Sequence, residues 1–296
     1  MNRAVWSWQA LRSVLSTAAL CAIATAATVA SVFAPPQAAD FAPSRHGFTF
    51  VNHFSGSVLS RSFGVASDMV QMSGFGLCGG MSFAAADYFA AGRPVPTEAR
   101  QPAEGTALRE YLHRRQMDSL GGLAAGLPQV ARFTGHMRAP DLGAAGTRVF
   151  SAAHVDSVVR ELQAGRLVML GLVYVRTAGN KQDAAGPVGQ PWENHQVLAY
   201  AAARPTRPGE PIRLRIYDPN FPGDDAAALL IEPGLGGSLP SIGPLTVHTP
   251  LLGVRTTRIA SRPPPPSAKP GTAPTEDRKL VRSMFIMPYT PAQPPN

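Results

Sequence analysis

Residues 151–175 read SAAHVDSVVRELQAGRLVMLGLVYV, and the hydrophobic period changes within them. Val155, Val158, Val159 and Leu162 recur at the spacing of one helical face, with Ser151 as the expected N-cap and Gly165 as the stop. From Leu167 to Val173 the apolar residues become nearly continuous, which suits a buried central strand. The chain on either side follows the same division. Upstream, Met81, Ala84, Ala85, Tyr88 and Phe89 form a helical stripe after Cys78, closed by Gly92 and Pro94. Further helices are expected over 106–120 and 127–134, and residues 40–62 read as extended. Downstream, strands are expected over 195–201, 212–217, 227–231, 252–259 and 283–289. Helices first and strands afterwards predict an α+β domain.

The N-terminus reads as a segment for export. Arg3 and Arg12 give a basic flank, 14–33 is rich in Ala, Val and Leu, and small residues precede the first acid, Asp40. A signal peptide over 1–39 and one domain over 40–296 are expected, the latter with a Pro-rich exposed loop at 261–277. Cleavage after Ala34 or after Ala39 fits equally, and an uncleaved membrane anchor is the alternative. The expected location is secreted, periplasmic or cell envelope. The formal charge is +8, from 27 Lys and Arg against 19 Asp and Glu, yet no basic run is interleaved with aromatics. Nucleic-acid binding is therefore not expected, and the charge suits only a weak association with an anionic envelope. No metal-ligand spacing and no cofactor motif stand out. Gly74, Gly76 and Gly79 match a dinucleotide fingerprint formally, but no strand precedes them.

Of two cysteines, Cys21 lies in the apolar N-terminal run, which leaves Cys78 as the one thiol of the mature chain. A lone thiol in an oxidising compartment calls for an explanation. Cys78 opens a helix, follows Gly74-Phe75-Gly76-Leu77 and precedes Gly79-Gly80. Free N–H groups and the positive end of the helix dipole favour a thiolate there, and they also suit an oxyanion. A small buried hydrophobe is the plainer alternative. Among seven histidines, His195 stands apart because it opens a strand directly after a loop. Ile212, Leu214, Ile216 and then Asp218 alternate toward one face, so Asp218 continues an inward row where a carboxylate needs a partner such as an imidazolium. Asp218-Pro219-Asn220 also reads as an ordinary turn, and Asn220 suits the orienting role as well.

Leu77-Cys78-Gly79 at a helix start, His195-Gln196-Val197-Leu198-Ala199-Tyr200 on a strand and Tyr217-Asp218-Pro219 at the end of the next strand occur in that chain order. The set resembles the papain-like cysteine peptidase superfamily, in particular its bacterial, bacteriocin-processing-peptidase-like members, over about 48–220. The resemblance implies an N-terminal helical half carrying the nucleophile, packed on a C-terminal antiparallel sheet. It implies Cys78 as nucleophile, His195 as general base, Asp218 as orienting acid, and no cofactor. The family places an oxyanion Gln six residues before the Cys. Here Met72 stands at that place, and Gln71 is one residue further away. A monomer acting on a peptide or protein substrate is expected, by hydrolysis of peptide or isopeptide bonds. The alternatives are an acyltransferase using the same three residues and a non-catalytic envelope-binding or structural protein of the same fold.

Overall fold

The computed structural model describes residues 37–54, 76–98, 100–180, 184–203, 205, 207, 210–238, 250–264, 267–269 and 271–296. Five α-helices stand among these residues: α1 (Pro43–His46), α2 (Cys78–Ala90), α3 (Ala107–Ser119), α4 (Pro128–Arg138) and α5 (Thr147–Gln163). Seven strands follow: β1 (Val168–Val173), β2 (His195–Ala203), β3 (Ile212–Tyr217), β4 (Ala228–Ser238), β5 (Pro250–Arg262), β6 (Thr275–Val281) and β7 (Ser283–Ile286). They form one sheet in the order β6-β5-β4-β3-β2-β1-β7, antiparallel at every pair. The architecture is α+β. The sheet curls, so that α5 packs against β7 at one edge and against β5 near the other.

Helix α2 packs on β2 and α3, and every residue from Gly79 to Phe89 is buried. The expected apolar stripe is thus one face of a helix enclosed on all sides, as its Gly-, Ala- and Phe-rich sequence allows. Close packing explains Gly80: a Cβ there would lie 2.2 Å from the Leu112 carbonyl oxygen of α3. The one acid within α2, Asp87, is 1 % exposed and fully satisfied. Arg115 pairs with it through Nε at 2.7 Å and Nη2 at 3.1 Å, and Tyr111, Tyr289 and the Ala292 N–H also donate to it. The C-terminal tail is thereby fastened to the central helix.

Several boundaries differ from expectation. Thr106, expected as the first helical residue, caps α3 instead, its Oγ accepting the Arg109 N–H. Ser151, in contrast, is no N-cap. Helix α5 starts a turn earlier at Thr147, whose hydroxyl donates to buried Asp141, and Ser151 Oγ instead bridges the Thr147 carbonyl and the Met284 N–H. Residues 40–54 include the short helix α1 rather than being wholly extended, while 55–62 lie outside the described residues. The Pro-rich connection spans 263–274 only, because Ser261 and Arg262 finish β5 and 275–277 open β6. The compact unit begins at Gln37, where Ala38 is fully buried and its N–H donates to the Gly165 carbonyl at 3.0 Å. Residues 1–36 lie outside the described residues. No described helix is long and apolar enough to cross a membrane.

Candidate active site

Antiparallel pairing brings the start of β2 beside the end of β3, with Leu198 opposite Tyr217. His195, first in β2, therefore meets the residues just past β3. Asp218 accepts from His195 Nε2 at 2.7 Å through Oδ1, and the same oxygen accepts the Asn220 N–H at 3.0 Å. The stretch after β3 is a turn, as the plainer reading had it, and the turn itself aims the carboxylate at the imidazole. Asn220 Nδ2 stands farther off, 3.5 Å from His195 Nε2, so the carboxylate and not the amide makes the short contact.

Cys78 is the first residue of α2 and is partly exposed, and it stands near enough to the His195 ring to help raise the ring's pKa. With Nε2 on Asp218, Nδ1 is the nitrogen left for the sulfur. The three residues singled out from the sequence thus converge in the order Cys78, His195, Asp218. Gln71 lies outside the described residues. In the first turn of α2, Gly80 N–H is held by Gln116 Oε1 at 3.0 Å, while the N–H groups of Cys78 and Gly79 have no acceptor within the helix by their position.

The electrostatics follow from burial and pairing. His195 is 5 % and Asp218 1 % exposed. Burial opposes the imidazolium, but the Asp218 carboxylate, then Cys78, outweigh it and hold the His195 pKa well above the ordinary value. Burial likewise opposes the carboxylate, but His195, then Arg258, then the Asn220 N–H hold Asp218 below the ordinary carboxylate value. A ring so placed can take a proton from a thiol and keep it.

Several contributors are invisible to motif reading. Asn52 Oδ1 accepts the Leu77 N–H just before Cys78, and its Nδ2 donates to Asn220 Oδ1 at 3.0 Å, joining the helix start to the turn that carries Asp218. Asn194 Oδ1 accepts the Tyr174 and Val175 N–H groups and fixes the entry to β2. Tyr174 stacks toward the His195 ring at 6.3 Å between centroids. Arg258, from β5, stands with its Nε 3.7 Å from Asp218 Oδ2. Only the Gly-rich surroundings of Cys78 gave a hint: a Cβ at Gly76 would lie 2.7 Å from Asn52 Nδ2. Among the described residues, no group of three or more His, Cys, Asp or Glu is placed to hold a metal.

Comparison of the chain with protein-family models, with curated proteins and with solved structures found no match. The functional reading therefore rests on the residues and their geometry.

Proposed function

We propose that this chain is an exported cysteine hydrolase of the papain-like type, acting on peptide or isopeptide bonds. The observation that carries the reading is the buried Asp218–His195 pair at 2.7 Å beside the partly exposed Cys78, which helps raise the His195 pKa. In the proposed reaction Cys78 attacks the substrate carbonyl carbon and His195 holds the thiol proton. The Cys78 and Gly79 N–H groups face the developing oxyanion. His195 returns the proton to the leaving amine, and water then releases the acyl group from sulfur. Asp218 keeps the ring oriented and its cationic form stable.

Support for export comes from the basic, apolar and small-residue order of residues 1–39. Of the two cleavage positions, the one after Ala34 leaves the buried Ala38 and its bond to Gly165 intact, so mature protein is expected to begin at Pro35 on N-terminal sequencing.

Incubation with p-nitrophenyl acetate, followed by intact-mass and peptide analysis, tests the chemistry. The expected result is acetyl on Cys78, released by water over repeated turnovers, and no turnover in Cys78→Ala or His195→Ala. A folded wild-type chain whose Cys78 stays unacylated, or acylates equally well without His195, overturns the proposal.

A further inference from the structure

Asp218 presents two carboxylate oxygens, and the triad uses one. Oδ2 is buried and has no hydrogen-bond partner among the described residues; the cation beside it is Arg258, at 3.7 Å from Nε. Arg258 is 5 % exposed and gripped from two other directions. Its Nη2 donates to Asp277 Oδ1 at 2.6 Å, and its guanidinium carbon lies 4.6 Å from the centroid of the Phe221 ring. The Tyr174 hydroxyl sits beside the guanidinium without closing a hydrogen bond of normal geometry. Nε and Nη1 are buried with no hydrogen-bond partner among the described residues.

An arginine needed only to join β5 to β6 would make its bond to Asp277 and leave the rest of the fork in water. Here the fork is buried at a cost in desolvation, and the edge left without a hydrogen bond is the edge nearest Asp218. We propose that Arg258 is a positioning residue of the Cys78–His195–Asp218 site: its charge, behind the carboxylate, keeps Asp218 ionised and seated on His195 and sets the pH window in which Cys78 is reactive. This rests on the reading of Cys78 as a nucleophile.

The charged and titratable groups facing this cluster come from six places. Cys78 stands on α2, His195 on β2, and Tyr174 just after β1. Arg258 and Arg262 belong to β5, Asp277 and Lys279 to β6, and Glu193 to the turn before β2. Arg262 donates to Asp277 Oδ2 at 2.6 Å, and Lys279 Nζ lies 3.9 Å from the Tyr174 ring centroid. Removing one positive charge from the cluster makes every proton within it harder to remove. Neutralising Asp277 has the reverse sign, because it leaves the guanidinium uncompensated.

The test is the rate of Cys78 alkylation by iodoacetamide against pH, in the full chain and in Arg258→Met, Arg258→Lys and Asp277→Asn. Met keeps apolar contact with Phe221 and removes the charge. Both limbs of the Arg258→Met profile are expected to move upward by about one pH unit, a typical effect of one nearby charge. Arg258→Lys restores the wild-type limbs, and Asp277→Asn moves them downward. If Arg258→Met does not fold, the downward shift in Asp277→Asn decides the matter. Profiles that superimpose on wild type overturn the role of Arg258 while leaving the nucleophile intact. A wild-type profile without two His195-dependent limbs removes the nucleophile reading itself, and the role of Arg258 with it.

Discussion

At the scale of single residues, Asp218 sets the terms. Moving a carboxylate out of water costs several kcal/mol even after relaxation. A unit charge at the 3.7 Å separation of Arg258 contributes about 4 kcal/mol at an effective dielectric near 20, so one cation roughly offsets that cost and no more. The His195 contact at 2.7 Å and the Asn220 N–H at 3.0 Å supply the surplus. The carboxylate is therefore held by its neighbours as much as it holds them. Asp218→Ala removes both the charge and the orientation of the ring. Acylation of Cys78 by p-nitrophenyl acetate at neutral pH is expected to slow by about 10²-fold in that variant, the usual scale for a positioned acid–base group. A rate within about twofold of wild type, well inside that scale, means that Asp218 does not orient His195.

At the scale of elements, the fit between α2 and α3 places the sulfur. The 2.2 Å that would separate a Cβ at Gly80 from the Leu112 carbonyl concerns backbone on both sides, so neither helix can yield by turning a side chain. Gly80→Ala is expected to cost about 2 kcal/mol and to lower Tm by about 5 °C. Gly135→Ala in α4 is the matching control, since a Cβ there meets nothing within 4 Å, and it is expected to hold or raise Tm. Equal effects of the two substitutions in a thermal melt contradict the close approach. The elements also show what the sequence could reveal. The stripe from Met81 to Phe89 and the run from Leu167 to Val173 were legible because burial leaves its period in the sequence. The start of α5 was not: Thr147 is fixed by Asp141, which also pairs with distant Arg282 at 2.8 Å. Strand β6 was not, because its TEDRKLV sequence is that of a polar, solvent-facing edge. Within the site, Cys78, His195 and Asp218 could be picked out by their places at element ends. Asn52, Asn194 and Arg258 could not, since each acts through contacts that only the folded chain creates.

At the scale of the whole molecule, histidines make stability depend on pH with a definite sign. His136 Nδ1 shares a hydrogen bond with Ser283 Oγ at 2.6 Å and its ring stacks on Phe285, while burial, then Arg132 and His154, lowers its pKa to about 4. His154 and His46 are lowered as well, first by burial. Between about pH 6.5 and pH 4 the unfolded chain thus binds more protons than the folded one, and stability falls as pH falls. His195 has the opposite shift, so its contribution is complete below its unfolded pKa and declines only on the alkaline side. With solvent screening of its half-buried ring taken into account, His136 alone is expected to cost about 1 kcal/mol at pH near 5 relative to neutral pH. Thermal melts should show Tm dropping over that interval, with a shallower drop in His136→Leu; an unchanged Tm, or an identical slope in the variant, contradicts this assignment. Above all, the proposed chemistry has one proton shared between Cys78 on α2 and His195 on β2. The most direct measurement of that sharing is the rate of Cys78 alkylation by iodoacetamide at about pH 5.5, well below the ordinary thiol range, in wild type and in His195→Ala. Rapid alkylation of the wild-type chain that drops by at least about tenfold in the variant is the predicted result, whereas slow alkylation of both contradicts a thiolate held by His195.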